Sequence, residues 1–423
     1  MRRGWSWPAA LFLAGTLGPI PAEELTPEAL LLARIKVRAA ENLQSLPNYT
    51  CLETIERSHR RAAGRRFELN DVIRLEVGYV NRKEVFAWPG SGKFEDTDIT
   101  DMVSGGTIGN GSFALHVSGI FLSDAASFTH MGERDREGRK LLQYDYRVPM
   151  FRSGFRMRIK PTEGIVGYHG SFWVDPQSLD LVHLQILAEE IPPQLPVKSA
   201  AHTLRYQRMQ LGERDFLLPL EGEMILTDLR GNESRNRLSF TKCRQFAGES
   251  VVRFDDPPPA EEAAPAPKPP EQFYLPADLD VDLALETPVE AGHTAVGDPI
   301  VAKVLRDVKR KGTLYIPKGA SVLGRLAHMS PVKSARGDGW LIGLDFRRVE
   351  FENRYTFFHA RMNTPMERPS PMDVRTGVIA LGPAIPSLDP RVGILYLRGS
   401  TGKIAAGRVT SWRTAAPETK ESQ

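Results

Sequence analysis

The chain has 423 residues, 41% of them hydrophobic and 25% charged, enough apolar mass for two or three ordinary domains, which excludes a wholly disordered protein. Its net charge is +3 with both signs interspersed, and no concentrated basic patch marks it as a nucleic-acid binder. The densest basic run, "HRRAAGRR" at 59–66, reads as a solvated turn between strands.

The first 22 residues, "MRRGWSWPAALFLAGTLGPIPA", have two arginines, an apolar run and then small residues. That layout predicts a secretory signal peptide cleaved after Ala22 and a periplasmic or secreted protein. The apolar run is short for a bilayer span, and no later stretch is long and apolar enough, so no membrane span is expected in the mature chain. The two cysteines, Cys51 in "NYTCLETIE" and Cys243 in "SFTKCRQF", sit in strand-like contexts. Export and an even count favour a disulfide between them; two separate buried thiols are the alternative. A bridge across so long a loop contributes roughly 5 kcal/mol in the chain-entropy model.

"LTPEALLLARIKVRAAENLQSL" predicts a helix, with Thr26 as cap, Pro27 in the first turn and Glu28 near the positive end. Strands follow. In "NDVIRLEVGYV", Ile73, Leu75 and Val77 alternate with Arg74 and Glu76; in "GFRMRIK", Phe155, Met157 and Ile159 alternate with Arg156 and Arg158. A period of two gives one dry face and one wet face. "GSFWVDPQSLDLVHLQIL" reads as two strands joined at Asp175-Pro176-Gln177-Ser178. "LRYQRMQL", "EGEMILTDL" and "NRLSFTKCRQF" continue a long antiparallel meander with a helix packed on it. The glycine-led 104–128 segment interrupts the series and reads as short helices forming a flap over the sheet; it lacks the glycine-lysine ending of a phosphate loop.

A proline- and alanine-rich stretch, "DDPPPAEEAAPAPKPPEQ" at 255–272, marks the clearest boundary. Prolines favour an extended left-handed helix, which makes it a semi-rigid spacer of roughly 40–50 Å. It divides a domain at 26–254 from one at 273–413, followed by a polar tail at 414–423. Short strands with regular turn punctuation in the later part predict a small β-barrel or sandwich.

Chemical motifs are sparse. In "YIPKGASVLGRL", Lys318 precedes Gly319 between strand-like runs, which predicts the corner of a hairpin rather than a phosphate cradle. Asp278, Asp280 and Asp282 resemble the start of a calcium loop, but Leu283 and Val289 stand where the glycine and the closing glutamate belong. The nine histidines show no compact metal-ligand spacing, and no nucleophile elbow occurs. Glu53 and Glu56 of "ETIERSH" fall on opposite faces of a strand. No catalytic residue, cofactor or metal is assigned.

"GIVGYHGSFWVDPQSLDLVHLQILAE" resembles the strand–"WVDP"–strand unit of periplasmic lipoprotein carriers in the LolA/LolB-like superfamily, over about 30–250. The chain also resembles a group of uncharacterised secreted bacterial proteins with the "NYTCLETIERS" start. The first resemblance implies a mainly β fold with α: a curved antiparallel half-barrel wrapped around helices, with an apolar cavity for acyl chains. The later region, "LALETPVEAGHTAVGDPIVAKVL…GTLYIPKGASVLGRL", is similar to the β-barrel domain of TrbI-type conjugation-channel proteins, which implies a fold and little about function.

These readings predict a non-enzymatic envelope protein that binds a lipid or lipoprotein acyl chain in its first domain. Ile73, Leu75, Val77, Phe155, Met157 and Ile159 are its candidate wall residues; the plainer alternative is that they fill a core. A two-module scaffold holding an envelope protein partner is the second reading, and a hydrolase with dispersed residues the third.

Overall fold

The computed structural model describes residues 26–246, 270–363 and 389–416, apart from 82, 92–93, 95–98, 104–105, 110–114, 160, 334–337, 390 and 400. The expected leader and nearly all of the proline-rich stretch lie outside the described residues, as does most of the 414–423 tail.

Helix α1, Pro27–Gln44, starts as its sequence dictates. Thr26 is extended and its side-chain oxygen accepts from the Ala29 N–H at 3.3 Å, with Pro27 and Glu28 in the first turn. Ile35 and Ala39, about one turn apart, are its buried stripe, while Val37 on another face is exposed.

The strands of the first region are β1 Tyr49–Arg60, β2 Glu68–Val80, β3 Lys83–Ala87, β4 Ser127–Arg136, β5 Arg139–Val148, β6 Arg156–Ile159, β7 Thr162–Ile165, β8 Gly167–Val174, β9 Leu181–Glu189, β10 Val197–Leu211, β11 Arg214–Asp228 and β12 Glu233–Gln245. Ten of them form one sheet in the order β3-β2-β1-β12-β11-β10-β9-β8-β5-β4, antiparallel throughout. The expected mainly β fold, an open curled half-barrel with a helix packed on it, is what forms. The basic run at 59–66 spans the last two residues of β1 and the exposed turn, 61–66, that leads to β2. Asp175 fastens the expected β8–β9 turn, its carboxylate accepting from the Gln177 and Ser178 N–H groups at 3.0 and 2.9 Å.

"GFRMRIK" keeps its period of two, but β6 and β7 make a separate two-stranded hairpin. Met157 is buried there with Val166, Leu195 and Val197. Cys51 and Cys243 are joined by a disulfide. It fastens β1 to β12, so the first and last strands of the half-barrel are neighbours held both by ladder hydrogen bonds and by a covalent link.

The later region comprises β13 Glu271–Gln272, β14 Asp280–Leu285, β15 Val289–Glu290, β16 Pro299–Val304, β17 Val308–Arg310, β18 Thr313–Ile316, β19 Ser321–Val332, β20 Gly339–Phe351, β21 Arg354–Phe357, β22 Ala360–Met362, β23 Gly393–Arg398, β24 Lys403–Ile404 and β25 Val409–Thr414. Its main sheet runs β13-β21-β20-β19-β16-β14-β25-β22, with β23 also on β20. Pro317-Lys318-Gly319-Ala320 is a turn, as read from its residues: Gly319 has φ +85° and the Ala320 N–H reaches the Pro317 carbonyl at 3.2 Å. It is not a hairpin, however, because β18 pairs with β17 while β19 pairs with β16 and β20. Among the three aspartates, Asp282 accepts from Ser411 Oγ at 2.7 Å and meets Arg306 at 2.6 Å, while Asp278 faces Arg413 at 3.4 Å. Asp280 accepts from Asn363 Nδ2 at 3.5 Å, so each has a partner of its own, and β14 lies inside the sheet between β16 and β25 rather than at its edge.

The two regions touch along β2. β3 covers its side of β2 only at Glu76–Val80, which leaves the backbone at 72–74 without a strand on that side. Val296 occupies that edge: its N–H bonds the Val72 carbonyl and its carbonyl accepts from the Arg74 N–H, both at 2.8 Å. Arg74 also bonds Asp298 at 2.5 Å, and Arg325 lies 4.3 Å over the Trp88 ring. Ile73, Leu75 and Val77 therefore belong to one apolar cluster with Val281, Val296 and Leu326 of the later region.

Beside this junction Arg57 and Asp71 pair across β1 and β2, with side chains only 4% and 5% exposed. Removing one partner strands the other charge in a dry site, which costs several kcal/mol. Asp71→Ala is expected to lower stability by about 3 kcal/mol in urea unfolding. A change near zero would contradict the burial of the pair.

Candidate functional site

The concave face of the half-barrel carries three features. The first is an apolar crevice under α1, bounded by Ile35 and Leu43 of the helix, Phe121 from the 115–122 turn, and Leu181, Tyr206 and Leu217 of the sheet. Aromatic contacts behind the lining hold Phe121 in place: it meets Phe172 edge-on at 4.8 Å, and Tyr144 stacks on Phe172 at 5.3 Å. Its cavity volume is about 30 Å³, room for a water molecule or two and far less than an alkyl chain needs. An acyl chain fits here only when α1 or the 115–122 turn moves away.

A polar cluster closes the mouth of that crevice. The Asp180 carboxylate accepts from Arg38 Nε at 2.9 Å, Asn42 Nδ2 at 3.0 Å and Arg208 Nε at 2.7 Å. Arg208 also donates to Asn42 Oδ1 at 3.0 Å. Arg38 and Asn42 lie on α1, Asp180 precedes β9 and Arg208 lies on β10, so the cluster latches the helix to the rim. Burial raises the Asp180 pKa, but the hydrogen bonds from Arg208 and Asn42 and the charges of Arg208 and Arg38 outweigh it and hold the group below its ordinary value. The latch is thus ionised at neutral pH and loosens as pH falls through that depressed value.

The second feature is a buried carboxyl. β1 sends Cys51, Glu53 and Ile55 inward, and Glu53 stands between Leu75 of β2 and Phe240 of β12, 3% exposed. Burial, and secondarily the Glu84 carboxylate, raise its pKa to about 8, so it is protonated at neutral pH. Tyr49 and Tyr206 nearby are held un-ionised, chiefly by burial and then by Glu84. Glu56 points the other way and is half exposed, the opposite-face placement the strand demands.

The third is a histidine pair. His116 precedes the 118–122 turn, and His202 lies on β10. Their rings meet edge-on with centroids 5.3 Å apart, and His116 also meets Phe155 at 5.8 Å. Burial lowers the pKa of His116 to about 4; burial, then the neighbouring His116, lowers that of His202 to about 3. Both are therefore neutral at physiological pH.

The candidate wall residues do not form one wall. Ile73, Leu75 and Val77 lie in the cluster shared with the later region, whereas Met157 and Ile159 lie in the small hairpin's cluster. Phe155 packs between that hairpin and the cluster under α1. Among the described residues of the glycine-led 104–128 segment, the Thr107 carbonyl accepts from Asn236 Nδ2 of the sheet at 2.7 Å, and Val117, Ile120 and Phe121 enter the core under α1. Sequence reasoning missed Asp180, Arg208, Glu53 and the pairing of His116 with His202. Only Glu53 left a trace, as a charged residue on the inward side of an alternating strand.

No family model matches the chain, and no curated protein matches it. Among solved structures it is similar to a DUF1329 family protein from Desulfovibrio piger, at 10% identity over 53% of this chain and 96% of that chain, with a TM-score of 0.28. It is also similar to a putative outer membrane lipoprotein-sorting protein domain from Vibrio parahaemolyticus, at 12% identity over 52% of this chain and 94% of that chain, with a TM-score of 0.28. At such identities and TM-scores no functional residue transfers. The class is defined by the strands themselves: an open antiparallel half-barrel closed over a helix, with a second β-sheet docked on its edge. Among the described residues no helix is long and apolar enough to cross a membrane.

Proposed function

We propose that the protein is a non-enzymatic envelope protein that takes an apolar chain, a lipid or acyl group, between α1 and the curled sheet. The observation that carries this reading is the apolar crevice under a helix whose rim is fastened by a polar latch. A latch of half-exposed arginines on one carboxylate is strong enough to hold the closed form and weak enough to release it, since each charged hydrogen bond there contributes roughly 1–2 kcal/mol. Burying the methylenes of an incoming chain gains about 0.8 kcal/mol each, so a medium-length chain offsets the parted latch and the displaced helix contacts.

Native mass spectrometry and lipid extraction of the purified protein test the reading, together with titration by a fluorescent fatty acid. Copurified lipid or saturable uptake supports it. Asp180→Ala frees Arg38 and Arg208 to hydrate, and is expected to cost about 2 kcal/mol of stability while speeding fatty-acid uptake. Protein that is reproducibly empty and takes up no fatty acid, in the parent and in the latch variant alike, ends the carrier idea.

A two-module scaffold is the second reading. It is favoured by a 370 Å³ surface groove on the later sheet, beside which Tyr274 and Phe357 are 75% and 55% exposed. A scaffold retains an envelope protein partner through delipidation, whereas a carrier does not. A hydrolase with dispersed residues is the third reading; Glu53 is a poor candidate for it, because its enclosure denies a substrate direct approach.

A further inference from the structure

Two imidazoles in contact inside an apolar core need an explanation. Among the described residues, His116 and His202 each have a buried Nε2 with no hydrogen-bond partner. Leaving a buried polar atom unsatisfied costs about 1–3 kcal/mol, and such atoms commonly mark a missing water or ion. Their surroundings supply little that hydrogen-bonds. His116 packs on Phe155, and His202 stands on β10 beside Ile186 of β9 and Met224 of β11. Register partners on an antiparallel pair share a face, so the Met224 thioether belongs to the same side of the sheet as His202. The Met224 sulfur also lies against Gly109, where an added Cβ would approach it to 3.1 Å. Gly109 thus lies over Met224.

We propose that His116 and His202, with Met224 as a third, softer donor, form a site for Cu(I). The ring geometry fits. With metal–nitrogen bonds of about 2.0 Å, two imidazoles on one ion at a tetrahedral angle place their centroids about 5 Å apart. The observed separation is 5.3 Å. The donor set selects the ion. Among the described residues no group of three or more His, Cys, Asp or Glu gathers as a metal site, and carboxylate donors are what Ca²⁺ and Mg²⁺ require. Neutral imidazole and thioether suit Cu(I), which accepts low coordination numbers and gains from a dry, apolar shell.

The experiment uses the full mature chain with its disulfide intact. Ascorbate is the reductant, because a thiol reductant would free Cys51 and Cys243 as competing ligands. Cu(I) is titrated against bicinchoninate, and X-ray absorption at the copper edge reports the ligands. The expected result is one equivalent retained, with two nitrogen donors and one sulfur donor. His116→Phe/His202→Phe is expected to abolish retention; Met224→Leu is expected to weaken it at least tenfold and remove the sulfur signal. Should the double variant fail to fold by circular dichroism, the absorption spectrum of the parent and the single Met224→Leu variant still decide. No retained Cu(I), retention unchanged in the folded double variant, or a spectrum with thiolate ligands would overturn the assignment. Fatty-acid uptake is a separate readout, so the copper site and the apolar-chain reading stand or fall independently.

Discussion

Glu53→Gln is expected to stabilise the protein at pH 8 and to flatten its stability between pH 4.5 and pH 8. Burial, and then the Glu84 carboxylate, raise the Glu53 pKa from 4.5 to about 8 in the folded chain. Below pH 4.5 both states hold the proton and its contribution to stability is fully present. Above that value the unfolded chain releases the proton while the folded chain keeps it, so stability falls as pH rises towards 8. The loss is about 1.4 kcal/mol per pH unit, or roughly 5 kcal/mol across the window. Glutamine has nearly the same volume and no proton to lose. Urea midpoints measured at pH 5 and pH 8 check this: the parent should weaken markedly relative to the variant. Parallel profiles would show that Glu53 ionises freely and is not enclosed.

Loss of the Cys51–Cys243 bridge is the second large effect. The cysteines are 192 residues apart, and freeing so long a loop in the unfolded state costs roughly 5 kcal/mol in the chain-entropy model, with 2–5 kcal/mol usual for native bridges. The damage has a location. The bridge ties β1 to β12, the seam where the chain's return strand meets its first strand. Cys51→Ala/Cys243→Ala is therefore expected to lower the melting temperature by many degrees and to speed amide exchange first along β1 and β12. Complete reduction, verified by thiol titration, that left the melting temperature unchanged would contradict this role.

The local periods were readable in the sequence, and the long-range meetings were not. Ile73, Leu75 and Val77 alternate with charged neighbours, so β2 was legible, as were the cap at Thr26 and the Asp175 turn. What lies against an inward face depends on strands far away in the chain. Alternation puts Glu53 and Arg57 on the dry side of β1, but no local pattern tells that Asp71 neutralises Arg57 while Glu53 keeps a proton. His116 and His202 meet only because the 115–122 turn folds over β10. That Val296 of "HTAVGDP" completes the free edge of β2 follows from the shortness of β3. The same limit applies to the six wall candidates, because "GFRMRIK" has the period of a sheet strand yet pairs only with its own hairpin partner.

Hydrogen exchange of α1 at saturating fatty acid tests the central claim most directly. Exchange at 27–44 should accelerate as an entering chain parts the Asp180 latch, while protection of β1 and β12 stays constant. Saturable fatty-acid binding with α1 exchange unchanged would place the chain elsewhere and contradict a site beneath the helix.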